Sequence, residues 1–250
     1  MKVAVVTPTI GFEYLNQCIQ SVQNQTYDNL VHYIFLDGEE NYQKIYPVLF
    51  ENSGKREIKT IQIEENIGKG WYGHRAYAAC SFLVNADVIC YLDEDNWFEP
   101  NHVESIVDKL NNGFDWTYSF RNIHDKNGEF ICEDNCESLG KWPVYVNPSV
   151  YHIDTSTFGV RRNIATSVGH AWYGQWGADR QFFSTLKKYF PNFEGTRKYT
   201  SNYRLDGNPK SVTKEFFFEG NKLMLEAHNG EYPWKKKHFI TLGPGITLVD

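Results

Sequence analysis

A chain of 250 residues has the length of one large α/β domain, or of one domain with an appendage. Its 31 Asp and Glu against 25 Lys and Arg give a net charge of −6, which argues against a nucleic-acid polymer as partner. A small phosphorylated ligand stays open, because a divalent cation can supply positive charge locally.

The elements can be taken in chain order. Val3 to Val6 reads as a buried strand, stopped by Thr7-Pro8-Thr9, and too short before Pro8 to be a signal peptide. From Gly11 a helix follows, with Leu15, Cys18, Ile19 and Val22 on one stripe. His32 to Leu36 is a second strand, running into Asp37-Gly38-Glu39-Glu40. Ile45, Val48 and Leu49 predict another helix, loosened by Pro47, and Ile58 to Ile63 alternates as a third strand. A glycine-bearing loop from Glu64 to Gly73 leads to a helix over His74 to Val84. Val88 to Leu92 is a central strand that ends in Asp93-Glu94-Asp95, and Pro100 opens a helix on Val103, Ile106, Val107 and Leu110. Alternating strands and helices predict βαβ crossovers and a mostly parallel sheet flanked by helices.

The pattern then changes. Asp115 to Arg121 reads as a strand, Asn127-Gly128 as a hairpin turn and Phe130 to Cys132 as its return. From Gly177 a helix carries Phe182, Phe183, Leu186 and Phe190 until Pro191. Beyond Asn192 the sequence predicts loops and one further helix, from Ser211 to His228. Cys18, Cys80 and Cys90 fall on apolar faces, and Cys132 and Cys136 read as reduced thiols in a cytoplasmic protein. No apolar run approaches the length of a membrane span.

Three strand ends converge on one edge of this sheet: Thr7-Pro8-Thr9, Asp37 and Asp93 to Asp95. Residues two apart on an extended segment face the same side, so Asp93 and Asp95 form half of a hard-cation site. An acidic loop capping the next helix is the plainer reading of the same triplet. Asp37 is either a ligand to a base or ribose, or a turn residue before Gly38. The loop Asn66-Ile67-Gly68-Lys69-Gly70 has the small residues and the lysine of an anion site, without the spacing of a dinucleotide fingerprint or a P-loop.

The order Thr7-Pro8-Thr9, Leu36-Asp37-Gly38, Asn66-Ile67-Gly68 and Tyr91-Leu92-Asp93-Glu94-Asp95 resembles the GT-A glycosyltransferases of family 2, which transfer a sugar from a nucleotide-diphosphate donor. The resemblance implies a GT-A-like α/β fold with a smaller acceptor-side sheet. It implies a nucleotide-sugar-binding part over 1–112, and an acceptor-binding part with a C-terminal segment over 113–250 of the same domain. Thr7, Pro8, Thr9, Asp37, Asn66, Gly68 and Asp93 then belong to the donor site. Asp95, with Asp93, would hold a divalent metal, Mn²⁺ or Mg²⁺, and His228 is the candidate third ligand with His152 its rival. Asp37-Gly38-Glu39 stands where the family more commonly has two aspartates followed by Gly-Ser, which leaves the base open.

On the acceptor side, His152 to Arg162 resembles the strand beneath the acceptor site, and Trp176 to Phe183 the segment that carries the catalytic carboxylate. Asp179 is its match; helix capping is what an Asp in a first turn does otherwise. The implied reaction is a metal-dependent, inverting, non-processive transfer to the hydroxyl of a glycan, lipid-linked or small-molecule acceptor, with Asp179 as general base. Trp172, Tyr173 and Trp176 are candidate sugar platforms or core residues. Trp234-Lys235-Lys236-Lys237-His238-Phe239 is a candidate peripheral membrane contact or a solvated charged segment. Two other functions are carried forward. A sugar-phosphate nucleotidyltransferase would need a Gly-rich basic loop directly after the first strand, which Thr7 to Gly11 is not. A silent glycan- or nucleotide-binding module would bind without turnover and be indifferent to Asp179→Asn.

Overall fold

The computed structural model describes residues 1–205, 212–236, 238–242 and 245–249, with side chains described as far as residue 236. In chain order the elements are β1 (Val3–Thr9), α1 (Leu15–Gln23), β2 (Leu30–Asp37), α2 (Tyr42–Glu51), β3 (Glu57–Ile63), α3 (His74–Leu83), β4 (Val88–Tyr91), β5 (Trp97–Phe98) and α4 (His102–Asn111). The second half holds β6 (Trp116–His124), β7 (Phe130–Glu133), β8 (Phe158–Arg161), α5 (Arg162–Val168), α6 (Ala178–Tyr189), β9 (Phe193–Arg204), α7 (Lys214–Ala227) and a hairpin of β10 (His238–Leu242) and β11 (Gly245–Val249).

Nine strands form one sheet in the order β3-β2-β1-β4-β8-β6-β9-β5, with β7 on β6. The expected parallel half is β3-β2-β1-β4. β8 runs antiparallel to β4 and to β6, and so fuses the acceptor-side strands to the parallel half. Alternation along the buried strands splits the core. Val3 and Val5 of β1 pack with α1 and α4, through Cys18, Val22, Val103, Ile106 and Leu110. Ala4 and Val6 face the other layer, where Tyr91, Phe158, Trp172 and Phe182 close on α3 and α6.

β1 continues through Thr-Pro-Thr, where the sequence predicted its end at Val6. Its ladder to β4 stops at Val6 opposite Tyr91, while pairing to β2 carries on to Thr9. Pro8 therefore sits where one neighbour has already left, which is where a strand tolerates a missing N–H. The two strands part there, and the crevice at their carboxyl ends is the cleft described next. β9 falls where loops were expected. Thr196, Thr200, Ser201, Asn202 and Arg204 are polar yet buried, on both faces of the strand, so it carries no apolar alternation to read. Arg197 has φ of 61°, and the register to β6 shifts beside it.

Candidate active site

A cleft of about 950 Å³ opens at the carboxyl ends of β1, β2 and β4 and reaches across to the start of α6. Pro8, Thr9, Asp37, Asn66, Gly68, Asp93, Asp95 and Asp179 all line it. Each is held there for a local reason.

Asp37 ends β2 buried, and its two carboxylate oxygens accept from the backbone N–H groups of Ile67 and Gly68, at 2.8 and 2.7 Å. Burial raises its pKa, while those two donors and Arg75 work against the rise. A Cβ on Gly68 would stand 2.3 Å from Asp37 Oδ2, so only glycine lets the loop come this close. Asn66 Oδ1 accepts from Lys69 N at 2.9 Å and shapes the turn that follows. Gly73, with φ of 74°, opens α3 against Pro8.

Beyond β4, Asp93 Oδ1 accepts from Tyr77 Oη at 2.8 Å and Oδ2 from Ser156 Oγ at 3.2 Å. Burial, then the charges of Asp95 and Asp154, hold its carboxyl well above the ordinary carboxylate range. Glu94 accepts from Thr9 Oγ1, from Ile10 N at 3.3 Å and from Phe12 N at 3.0 Å, and so straps the loop after β1 onto the acidic turn. Asp95 is fixed through its backbone, whose carbonyl accepts from Arg204 Nε at 3.1 Å. Arg204 also donates to the Lys126 carbonyl at 2.8 Å and to Gln17 Oε1.

At the far end, Gly177 (φ 87°) turns the chain into α6, and Asp179 lies in the first turn. Asp179 Oδ1 accepts from Arg180 N at 2.8 Å, a partial cap, while Oδ2 stands 3.6 Å from His152 Nε2. Burial pushes His152 down to about 4, so it is neutral at pH 7. The floor between holds Arg121, which donates to Asp134 at 2.8 Å, Asp154 at 2.7 Å and Glu137 at 2.5 Å.

Eight carboxylates line the cleft against Lys69, Arg121 and Arg180 among the described residues. Asp93 and Asp95 with this excess of negative charge fit a divalent cation, although no three metal-ligating side chains gather by themselves among the described residues. Oxygens from a bound substrate would have to complete such a shell.

Several expected residues lie elsewhere. Thr7 is buried off the cleft: its hydroxyl bonds His32 Nε2 at 3.0 Å and touches Cys18, because β1 turns that side chain into the sheet. His228 caps the end of α7 with its ring edge on Trp234, 5.7 Å between centroids, and is not among the cleft-lining residues. Trp172 is core, stacked on Phe182 at 4.4 Å. Tyr173 packs on Trp71, which leaves Trp176, 70% exposed, as the ring at the cleft. Trp234 is buried and donates to Asn135 Oδ1, and Lys235 and Lys236 pair with Glu133 and Glu231. The side chains of Lys237, His238 and Phe239 lie outside the described residues. Glu94's strap, Arg121, Glu137, Asp154 and Arg204 escaped sequence reading, since isolated charged residues carry no periodic signal.

The Glycosyl transferase family 2 description matches residues 4–186. Among curated proteins, an uncharacterized glycosyltransferase of Rickettsia bellii is 26% identical over 140 residues, 52% of this chain and 18% of that protein. The putative glycosyltransferase EpsH of Bacillus subtilis is 29% identical over 96 residues, 38% of this chain and 26% of its own. This chain thus spans well under two thirds of either relative. Among solved structures, S. aureus TarS 1–349 superposes with a TM-score of 0.60 at 13% identity, covering 91% of this chain and 72% of that one. Its complex with UDP-GlcNAc gives 0.60 at 14%, covering 92% and 67%. At such identities the likeness is one of fold.

Proposed function

The chain belongs to glycosyl transferase family 2 with a GT-A-like fold, and on that premise we propose that it moves a sugar from a nucleoside-diphosphate donor to an acceptor hydroxyl. The observation that supports this most is the convergence of Asp37, Gly68, Asp93, Asp95 and Asp179 on one cleft. The donor lies along residues 1–112, with the nucleoside between Pro8, Thr9, Asp37 and the loop at Asn66 and Gly68. The acceptor enters from residues 113–250. Asp95 and Asp93 would hold a divalent cation, Mn²⁺ or Mg²⁺, which when bound supplies positive charge to the departing diphosphate.

The remaining chemistry rests on this chain's own side chains. Asp179 lines the cleft, where its carboxylate takes the proton of the acceptor hydroxyl as that oxygen attacks the anomeric carbon. In one displacement the bond from the anomeric carbon to the diphosphate oxygen breaks as the new bond forms, and the centre inverts. The nucleoside diphosphate departs, and Asp179 is left holding the proton. The neutral His152 ring, 3.6 Å away, lies beside the carboxylate without adding a competing positive charge.

Thermal-shift titration of nucleoside diphosphates, each with and without Mn²⁺, tests the donor site in wild type and Asp95→Ala. Ligand binding to the folded state raises Tm by mass action. A rise for one nucleotide that needs both metal and Asp95 is expected. No rise for any nucleotide with metal present would remove the basis of the reading.

A further inference from the structure

We propose that the acceptor end of the cleft is a subsite for uncharged sugar hydroxyls that turns away phosphorylated acceptors, a reading that rests on the transferase function above. The argument begins with Arg121. A buried guanidinium at a substrate cleft would ordinarily serve an anion, yet all three of its nitrogens are already committed, to Asp134, Glu137 and Asp154. Arg180 is the other cation at this end. Its guanidinium lies over the Trp176 ring at 4.8 Å and within 4.0 Å of Glu137 Oε1.

Against these two cations stand four carboxylates, of Asp134, Glu137, Asp154 and Asp179, and the last three line the cleft. Four carboxylates against two guanidiniums leave this floor short of positive charge before any ligand arrives. A phosphate would add to the deficit. Hydroxyl groups would relieve it, since each donates a charge-assisted hydrogen bond to a carboxylate oxygen.

Two independent features point to the same ligand. His152 is 5% exposed and lines the cleft, and its Nδ1 has no hydrogen-bond partner among the described residues. Being neutral, it adds no attraction for an anion at this end of the cleft. Trp176, an indole largely in solvent beside these carboxylates, presents the flat apolar surface on which the C–H face of a sugar ring can lie. Apolar platform and acceptor oxygens together match a glycosyl group.

The test uses matched pairs of methyl glycosides and their 6-phosphates, of glucose, galactose, mannose and N-acetylglucosamine. Each is offered with Mn²⁺ and the UDP-sugar or other nucleotide sugar whose nucleotide gives the thermal shift. Product formation is followed by mass spectrometry, and free nucleotide released into water is followed alongside. At least one neutral glycoside is expected to accept the sugar, with its 6-phosphate at least tenfold poorer in kcat/KM. Glu137→Gln is expected to narrow that gap. Trp176→Ala, at an exposed position that leaves the fold intact, is expected to raise the acceptor KM at least tenfold more than the donor KM. A 6-phosphate that serves as well as its parent overturns the proposal. So does a Trp176→Ala enzyme with an unchanged acceptor KM, or nucleotide release into water with no glycoside accepting. Absence of both nucleotide binding and nucleotide release would instead overturn the transferase reading, and this subsite with it.

Discussion

Asp37 acts first on the loop it holds: with Ile67 and Gly68 both donating to it, the carboxylate fixes this wall of the cleft before any ligand binds. Gly68→Ala would put a methyl group 2.3 Å from Asp37 Oδ2 and force loop and carboxylate apart. We expect nucleotide affinity to fall at least tenfold, with a stability cost of about 1–3 kcal/mol, as for other overpacked sites. Calorimetric titration beside thermal melting separates the two effects. Unchanged affinity would mean the loop does not need that anchor. His32 behaves differently. Burial pushes it down to about 3, against about 6.5 in an unfolded chain. Below about pH 6.5 the unfolded chain takes up a proton that the fold refuses, so this contribution to stability is complete above 6.5 and shrinks as pH falls towards 3. His102 and His152, lowered to about 3 and about 4, act in the same direction. The raised carboxyls of Asp37, Asp93, Glu94, Glu137 and Asp154 act oppositely, because the fold keeps their protons longer than the unfolded chain does. Denaturant titrations at pH 6.5 and pH 5 should therefore show His32→Asn losing about 2 kcal/mol less than wild type over that interval. Equal losses would mean that His32 is not kept neutral.

Among the elements, three of the parallel strands were legible as short apolar runs buried on both faces, as in Val3 to Val6 and Val88 to Leu92, and the edge strand β3 by its alternation. The ends of β2 and β4 were legible for the same reason, as the points where those runs give way to Asp37 and to Asp93, whereas β1 runs on past Val6 to Thr9. β9 was not legible. Its buried positions are satisfied by hydrogen bonds rather than by apolar contact: Thr200 Oγ1 bonds His102, and Asn202 bonds Asn122, His124 and Glu99. Such pairing joins residues 78 to 103 positions apart, which no local pattern encodes. The same holds for the floor of the cleft. Asp179 was legible from its family segment and Trp176 as one of three candidate rings, but nothing near Arg121 announces that Asp134, Glu137 and Asp154 gather on it. Arg121→Met tests that cluster. It would leave three buried carboxylates without their cation, and breaking buried ion pairs in this way typically costs about 3–5 kcal/mol. The loss should ease as acid neutralises the carboxylates, so urea midpoints of variant and wild type should approach one another on lowering the pH. A variant as stable as wild type at pH 7 would show that the cluster does not need its guanidinium.

For the whole molecule, the cleft is the seam between a parallel half and a mostly antiparallel half, joined through β8. The first half supplies Pro8, Thr9, Asp37, Gly68, Asp93 and Asp95, the groups proposed to meet the donor, and the second supplies Asp179, Trp176 and the floor. The seam is tied at one residue in particular. Arg204, at the end of β9, reaches Gln17 of α1, the Asp95 carbonyl and the Lys126 carbonyl of the β6–β7 turn. That tie has a consequence in time. A ribosome delivers Gln17 and Asp95 long before Arg204, so β1 to β4 can pair while the acidic turn still lacks its outer anchor. Contacts so distant in sequence carry a loop-closure cost and form late. The nascent chain therefore has a sheet before it has a finished cleft, and the cleft is completed with the last strand of that sheet.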